Sequence, residues 1–308
     1  MILSEVLTIY DLLDRPEQPG NLLRKLFKQY KTNIILKEVK EKKGQTQFLK
    51  IVIPGKKGKL KKGKAPTLGI IGRLGGVGAR PETIGFVSDG DGALSALSIA
   101  LRLSKIVFNG DCFDGDIIIA THVCVNAPTT PHDPVPFMGS PVELSTMNRY
   151  EVDPKMDAIL SIDTSRGNKI INHVGFAISP TVKEGYILKI SDDLLSIMEQ
   201  TTGKLPVTFP ITTQDITPYG NGIYHFNSIM QPAVATQAPV VGVAITSEVP
   251  VAGCATGVTN AYQIDAVGRF VIEVIQRFGK NTCYFFDKKE YALIVKKYGR
   301  LDKFQELR

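Results

Sequence analysis

The chain has no run of about eighteen consecutive apolar residues, the length a helix needs to cross a bilayer, so a membrane-spanning helix is not expected. It has only four cysteines, Cys112, Cys124, Cys254 and Cys283, and none is paired in a C-x-x-C spacing. They read as reduced, mostly buried thiols, which makes the cytoplasm the expected compartment. The opening segment MILSEVLTIYDLLDR carries early acids and lacks both a basic lead and a small-residue cleavage site, so it does not read as a signal peptide. No G-x-S-x-G occurs, which sets aside the serine-hydrolase elbow. Cys124 and Cys254 sit among apolar or small residues, the setting of inert packing rather than of an activated thiolate. The glycine-rich stretch Gly72-Arg73-Leu74-Gly75-Gly76-Val77-Gly78 lacks the dinucleotide spacing and has Pro81 where a phosphate-cradling helix should begin, so a tight backbone turn is favoured. Ser88-Asp89-Gly90-Asp91-Gly92 starts like a calcium loop, but the later ligands and the closing Glu do not follow.

What is present is a globular chain of 308 residues, 43% hydrophobic, with mean hydropathy +0.02. That length allows one large or two small domains and a substantial core. The net charge is +7, and Lys56, Lys57, Lys59, Lys61, Lys62 and Lys64 concentrate part of it. Such a run suits either a phosphate or nucleic-acid contact or a solvated hairpin loop between two strands. No aromatic residues interleave with it as stacking platforms, so the loop is favoured and a nucleic-acid partner is not expected.

Apolar periodicity predicts helices over residues 2–14 and 20–30, then a hairpin of Ile34–Val39 and Gln47–Ile53 turning at Lys42, Lys43 and Gly44. From Pro66 onward strand-like runs alternate with helix-like stretches, the pattern of α/β architecture. Helices are expected over Gly92–Leu103, Leu188–Thr201 (opening at Ser191-Asp192-Asp193), from Gly222 to Met230, over Ile264–Phe278 and in Lys288–Arg308. The simplest division is an N-terminal helix-and-hairpin elaboration over residues 1–65 and one α/β domain over 66–308.

Several predicted strands run into metal-binding or proton-moving residues. Leu68–Arg73 and Thr83–Ser88 lead to Asp89 and Asp91, Asp116–Thr121 to His122, Ala158–Ile162 to Asp163, and Val240–Thr246 to Glu248. Ligands of open α/β sheets sit beyond the carboxyl ends of the strands. A His and several carboxylates gathered there make a hard-donor set suited to a divalent metal. Asp89 and Asp91 also precede the strongest helix, where one carboxylate can cap while the other faces a metal. His122 is either a ligand or a hydrogen-bonded interior residue. Asp163 is the strongest single candidate, because a carboxylate is costly to bury unless paired or metal-bound. The proline-stiffened loop after His122 carries His132 and Asp133, which either contact a substrate or belong to a rigid subunit-contact loop. Asp215, following an extended Val207–Ile211, and Asn221 reach toward the same crevice, and His225 belongs either to it or to the core. His173 carries no signal of its own.

Residues Ala65–Arg80 through Asp91, with Gly110–Pro141, resemble an uncharacterised bacterial and archaeal family, the domains of unknown function numbered 1177. The resemblance extends over nearly the whole chain and implies no activity. A more distant likeness is to the co-catalytic zinc aminopeptidases of the tetrahedral and glutamyl aminopeptidase type. Asp89 or Asp91 matches their metal-bridging Asp, and Ala158-Ile159-Leu160-Ser161-Ile162-Asp163 resembles their ligand strand "A-I-x-V-D". Their first His is missing near Arg73–Gly76, Thr121-His122 stands in place of their paired Glu, and Glu248, Gly253 and Cys254 stand where a late His belongs. Their inserted β-barrel is also missing. This likeness implies a three-layer α/β/α fold with a mixed, mostly parallel sheet of the zinc-exopeptidase kind. It implies neither their general base nor their activity.

Two functions follow as expectations. One is a metal-dependent hydrolase of a small amide or peptide-like substrate, with zinc or manganese on Asp89, Asp91, His122 and Asp163, and with Glu248 or Asp215 moving the proton. The other is a metal-free, non-catalytic small-molecule-binding or structural homo-oligomer. In it Arg73 replaces the cation and pairs with Asp163 or Asp91. A homo-oligomer is expected in either case.

Overall fold

A computed structural model describes residues 1–80, 85–131, 137–218, 228–251 and 258–306. The chain opens with helices α1 (Leu3–Leu13) and α2 (Gly20–Lys28) and the antiparallel strands β1 (Ile34–Glu41) and β2 (Gly44–Ile53). Next come β3 (Leu68–Gly72), α3 (Asp91–Phe108), β4 (Ile117–Val123), the two-residue strands β5 (Thr129–Thr130) and β6 (Phe137–Met138), α4 (Leu144–Glu151) and β7 (Ala158–Thr164). Three short strands follow, β8 (Gly175–Ile178), β9 (Thr181–Lys183) and β10 (Tyr186–Leu188). Then come α5 (Asp192–Thr202), β11 (Val240–Thr246), α6 (Ala261–Gly279) and α7 (Lys288–Tyr298).

Nine strands form the main sheet in the order β1-β2-β4-β3-β7-β11-β9-β10, with β8 also paired to β11. The four central strands β4, β3, β7 and β11 are mutually parallel, and antiparallel strands flank them on both sides. All four are buried throughout, apart from the half-buried Thr164 that ends β7, which explains their near-continuous apolar runs: helices cover both faces of a parallel core. Strand alternation divides the burial. Leu68, Ile70, Ile119, Leu160, Ile162, Val243 and Ile245 pack with α1, α3 and α6, whereas Ile71, Ile118, Ile159 and Ala244 pack with Phe209, Ile229 and Met230 on the other face.

The first 65 residues are built into this architecture. β2 pairs antiparallel with β4, so the hairpin extends the central sheet, and Ile2, Val6, Ile9 and Leu13 of α1 join the core beneath α3 and α6. Three helices start on a side-chain cap. Ser191 Oγ accepts from the Leu194 N–H, Asn260 from Tyr262 and Gln263, and Asp287 from Lys289 and Glu290.

Several elements depart from the periodicity. The lysine run is not a hairpin loop, because β4 lies between β2 and β3. It folds around the Asp116 carboxylate, which accepts from the Gly55 and Leu60 N–H groups, both at 2.8 Å, and it includes a 3-10 turn at Lys59–Lys61. Residues 85–88 form no strand; Ser88–Gly90 is a 3-10 turn feeding α3, and 81–84 lie outside the described residues. Val207–Ile211 makes only one bridge, Thr208 to Ile178. The expected helix from Gly222 lies outside the described residues up to 227, and Ser228–Ala235 is a 3-10 stretch carrying Pro232. Helix α4 and strands β8–β10 carry too little apolar pattern to be anticipated.

Candidate functional site at the sheet's switch point

The order β4-β3-β7 creates the site. From β3 the chain crosses through α3 to β4 on one side, then through α4 to β7 on the other. Beyond the carboxyl ends of β3 and β7 the two connections part to opposite sides, the position at which open α/β sheets place a ligand crevice.

Gly72 lies level with Thr121 of β4 and Ile162 of β7, so the next residues, Arg73, His122 and Asp163, form one row across three strands. Phe48 of β2 and Ala244 of β11 extend it at either end. All three polar residues are buried, with Arg73 and His122 fully so and Asp163 4% exposed. Strand alternation points them to the face that α4 covers.

Helix α4 supplies the partners of Arg73 and His122. Glu151, fully buried, takes the His122 Nδ1 at 2.7 Å on one oxygen and lies 3.1 Å from Arg73 Nε on the other. The Nε–H is not aligned on that oxygen, so the second contact is an ion pair rather than a hydrogen bond. Asn148 accepts from the Arg73 guanidinium. The Gly75 N–H donates to His122 Nε2 at 3.1 Å, so Nε2 carries the lone pair and Nδ1 the proton given to Glu151. Both ring nitrogens are therefore engaged: Nε2 has one lone pair, and the Gly75 N–H, rather than the metal expected on His122, takes it here. The ion pair of Arg73 forms with Glu151, and among the described residues none within 4 Å joins Arg73 to Asp163 or Asp91, although its charge still favours the ionised form of Asp163.

Of the carboxylates, Asp163 belongs to this row, whereas Asp89 and Asp91 stand at the start of α3. Asp91, the first residue of α3, is fully buried and accepts from Arg166 at 2.5 Å and from Thr259 at 2.6 Å. Asp163 accepts from the Thr164 N–H at 2.7 Å and from the Ser228 hydroxyl. Asp89 is enclosed by protein yet keeps part of its surface in solvent, and it makes no ion pair within 4 Å among the described residues. Burial, and next the charge of Asp163, push Asp89 up to about 7. Burial raises Asp91 to about 6 against the opposing pull of Arg166 and Thr259. Burial raises Asp163 to about 6 against the hydrogen bonds from Ser228 and Thr164. Asp89, Asp91, Asp163 and Glu151 are four carboxyls facing two guanidinium groups, Arg73 and Arg166. With every acid ionised, two negative charges lack a partner among the described residues.

The remaining candidates are placed as follows. The Asp215 carboxylate closes a capping box with Thr212, whose N–H it accepts at 2.6 Å, so its local role is to end its own turn. Glu248 is exposed just beyond β11, and its backbone packs against Gly167, one residue from Arg166. His132, Asp133, Asn221, His225, Gly253 and Cys254 lie outside the described residues. Glu151 and Arg166 escaped the sequence reading. Glu151 lies on the unanticipated helix, and Arg166 lies three residues past Asp163, a position that strand-end reasoning alone does not reach.

The chain belongs to the family described as "Protein of unknown function (DUF1177)", whose model matches residues 37–308. A search of curated protein sequences finds no match. Among solved structures, the family member resembles glutaminyl cyclase of Porphyromonas gingivalis (TM-score 0.54, 11% identity, 88% of this chain and 95% of that one). It also resembles a tomato leucine aminopeptidase mutant (TM-score 0.53, 12% identity, 88% of this chain and 61% of that one), of whose length it spans less than two thirds. A glutaminyl cyclase from an Acidobacteriales bacterium is similar at TM-score 0.51 and 10% identity over 91% and 94% of the two chains. At such identities the likeness shows the fold, which is of the zinc-exopeptidase type. Among the described residues no helix is long and apolar enough to cross a membrane.

The fold family raises the question of a metal, and the donors answer it unevenly. His122 does not fit, for the reason given. The carboxylates do fit, because each oxygen has two lone pairs and can take a hydrogen bond and a cation together. The described residues contain no ready-made cluster of three His, Cys, Asp or Glu ligands. What they offer is an all-oxygen donor set, the kind that hard divalent cations take.

Proposed function

We propose that the crevice is a hydrolase site for a small amide or peptide-like substrate, using a divalent cation held by Asp89 and Asp163 with Asp91 beside them. The observation that supports this reading is the gathering of Asp89, Asp91 and Asp163, of which only Asp91 has an ion-pair partner among the described residues, where the fold places its ligand site. A bound divalent ion lowers the pKa of its water to about 7 and so supplies a nucleophile at neutral pH. Thr259 and Arg166 hold the Asp91 side chain at the N-terminus of α3. The Arg166 Nε–H is buried without a hydrogen-bond partner among the described residues, and in this reading it binds a substrate carbonyl or carboxylate oxygen. Glu248, exposed at the rim, is the proton acceptor in this reading. Arg73, Glu151 and His122 keep the floor of the site rigid and dry.

Elemental analysis of protein purified without a metal-binding tag tests the proposal. About one equivalent of manganese or zinc, lost in Asp163→Ala, is expected, together with turnover in an amide and peptide screen. Wild-type protein that takes up no divalent ion after soaking would overturn it.

A second reading has its own supporting observation, the 2.5 Å contact of Arg166 with Asp91. There the guanidinium is the resident cation, and the crevice binds a small amine-bearing ligand on Asp89 without metal. That reading requires wild-type protein to stay metal-free and Arg166→Met to acquire divalent-ion binding.

A further inference from the structure

The sheet has a second polar feature at its opposite pole. A cavity of about 1000 Å³ opens at the amino ends of the central strands, where Pro66 precedes β3, Asp157 precedes β7 and Pro239 precedes β11. Five cationic side chains line it, Lys59, Lys64, Arg149, Lys183 and Lys288, against two acids, Asp157 and Glu306. Lys59 is neutralised by Asp157 at 2.6 Å, and Lys183 by Glu184 at 3.1 Å with a further bond to the Gln237 carbonyl at 2.6 Å. Lys64, Arg149 and Lys288 form no ion pair within 4 Å among the described residues. They come from three separate elements: the loop before β3, the last turn of α4 and the first turn of α7.

The lysine run itself divides. Lys56 and Lys57 are held by Asp114 at 3.0 and 3.3 Å, outside the cavity, whereas Lys64 is among its lining residues. Three unpaired cations on three elements face one acid, Glu306, likewise unpaired among the described residues, around one concave volume, and an anion with several charged groups relieves the remaining repulsion at once. A monovalent anion would leave most of the volume and part of the charge unused. From this geometry we infer that the cavity binds a small polyphosphate-bearing molecule, with Lys64, Arg149 and Lys288 as its phosphate contacts. The site lies at the other end of the sheet from the crevice and does not depend on the hydrolase reading. Asn148, whose carbonyl oxygen accepts from Arg73, also lines the cavity, so an occupant would sit one side chain from the buried polar row.

Titration calorimetry of the full chain with inorganic tripolyphosphate, at low and at physiological salt, tests the inference. Saturable binding near one equivalent is expected. The triple variant Lys64→Ala, Arg149→Ala and Lys288→Ala, all at exposed positions, should weaken it at least about tenfold, the loss of one charge-assisted contact or more. A control lacking the same charge outside the cavity, Lys61→Ala, Lys62→Ala and Lys297→Ala, should stay within about twofold of wild type. Asp163→Asn should bind as wild type does, which separates this site from the crevice. A nucleoside triphosphate that binds more tightly than tripolyphosphate identifies a nucleotide as the source of the phosphates, and equal affinity identifies inorganic polyphosphate. No saturable binding, equal losses in the two triple variants, or tighter binding of a single-stranded oligonucleotide than of tripolyphosphate would each overturn it.

Discussion

His122 and Glu151 are joined across 2.7 Å, with no exposure of either side chain, and the same carboxylate faces Arg73 at 3.1 Å. A histidine and an arginine on neighbouring strands thus share one acid from a helix that packs over them. Removing that acid strands a buried guanidinium. Glu151→Ala should destabilise the protein by about 3–5 kcal/mol, the usual result of breaking a buried pair from one side. Glu151→Gln keeps the shape and one acceptor and should cost less. Urea unfolding monitored by circular dichroism separates the two. Equal stability of Glu151→Ala and wild type would show that the network contributes nothing to the fold.

The grouping of Asp89, Asp91 and Asp163 predicts stabilisation by divalent ions. A ligand that binds only the folded state at a concentration one hundred times its dissociation constant adds about 2.7 kcal/mol. Manganese should therefore raise the melting temperature of chelator-treated protein by several degrees, and Asp163→Asn should remove most of that rise. Differential scanning fluorimetry across a manganese titration is the measurement. A rise of equal size in the variant would place the ion elsewhere.

Gly75 has no room for a side chain. A Cβ built there would lie 1.5 Å from the His122 carbonyl oxygen, on a backbone that cannot move without breaking the Gly75 bond to Nε2. Gly75→Ala should cost more than about 3 kcal/mol or abolish soluble expression. Gly110→Ala is the contrasting control. It meets nothing within 4 Å and pays only for its left-handed φ of +98°. Similar stability of the two variants would contradict the packing described.

Glu5 predicts how stability varies at acid pH. Burial alone would raise its pKa, but the hydrogen bonds from Lys105 at 2.8 Å and Ser4 at 3.0 Å outweigh it and hold the carboxyl below its ordinary 4.5. A folded-state pKa depressed in this way contributes stability that is fully present above the unfolded value. That stability is lost as pH falls through the folded one. Glu5→Gln should therefore lower stability at pH 7 and flatten the decline below pH about 4.5. Parallel wild-type and variant curves from pH 7 to 3 would remove Glu5 from the acid response.

Much of the architecture is legible in the residues because it is local. Apolar stripes mark α1, α2 and α3, and alternation marks the β1–β2 hairpin, since a side chain's direction within a helix or strand depends only on its position along it. The buried runs of β3, β4, β7 and β11 and the carboxylate of Asp163 at a strand end are visible for the same reason. Helix α4 shows where this fails. Leu144, Met147, Asn148 and Glu151 have the spacing of a helical face, but two of the four are polar, so no apolar stripe announces it.

Residue order alone thus determined an α/β chain with acids and a histidine gathered at strand ends. Only the tertiary structure decided which of them remain available. Asp91 is fully buried against Arg166 and Thr259, whereas Asp89 keeps an open side. His122 gives both nitrogens to Gly75 and Glu151, and Arg73 turns to Glu151 rather than to Asp163. The physical reason is separation along the chain. These partners lie between 29 and 168 residues apart, or belong to strands brought side by side only by the crossing from β4 to β7. Ion pairing and desolvation depend on distances in space, which no local pattern in the sequence encodes.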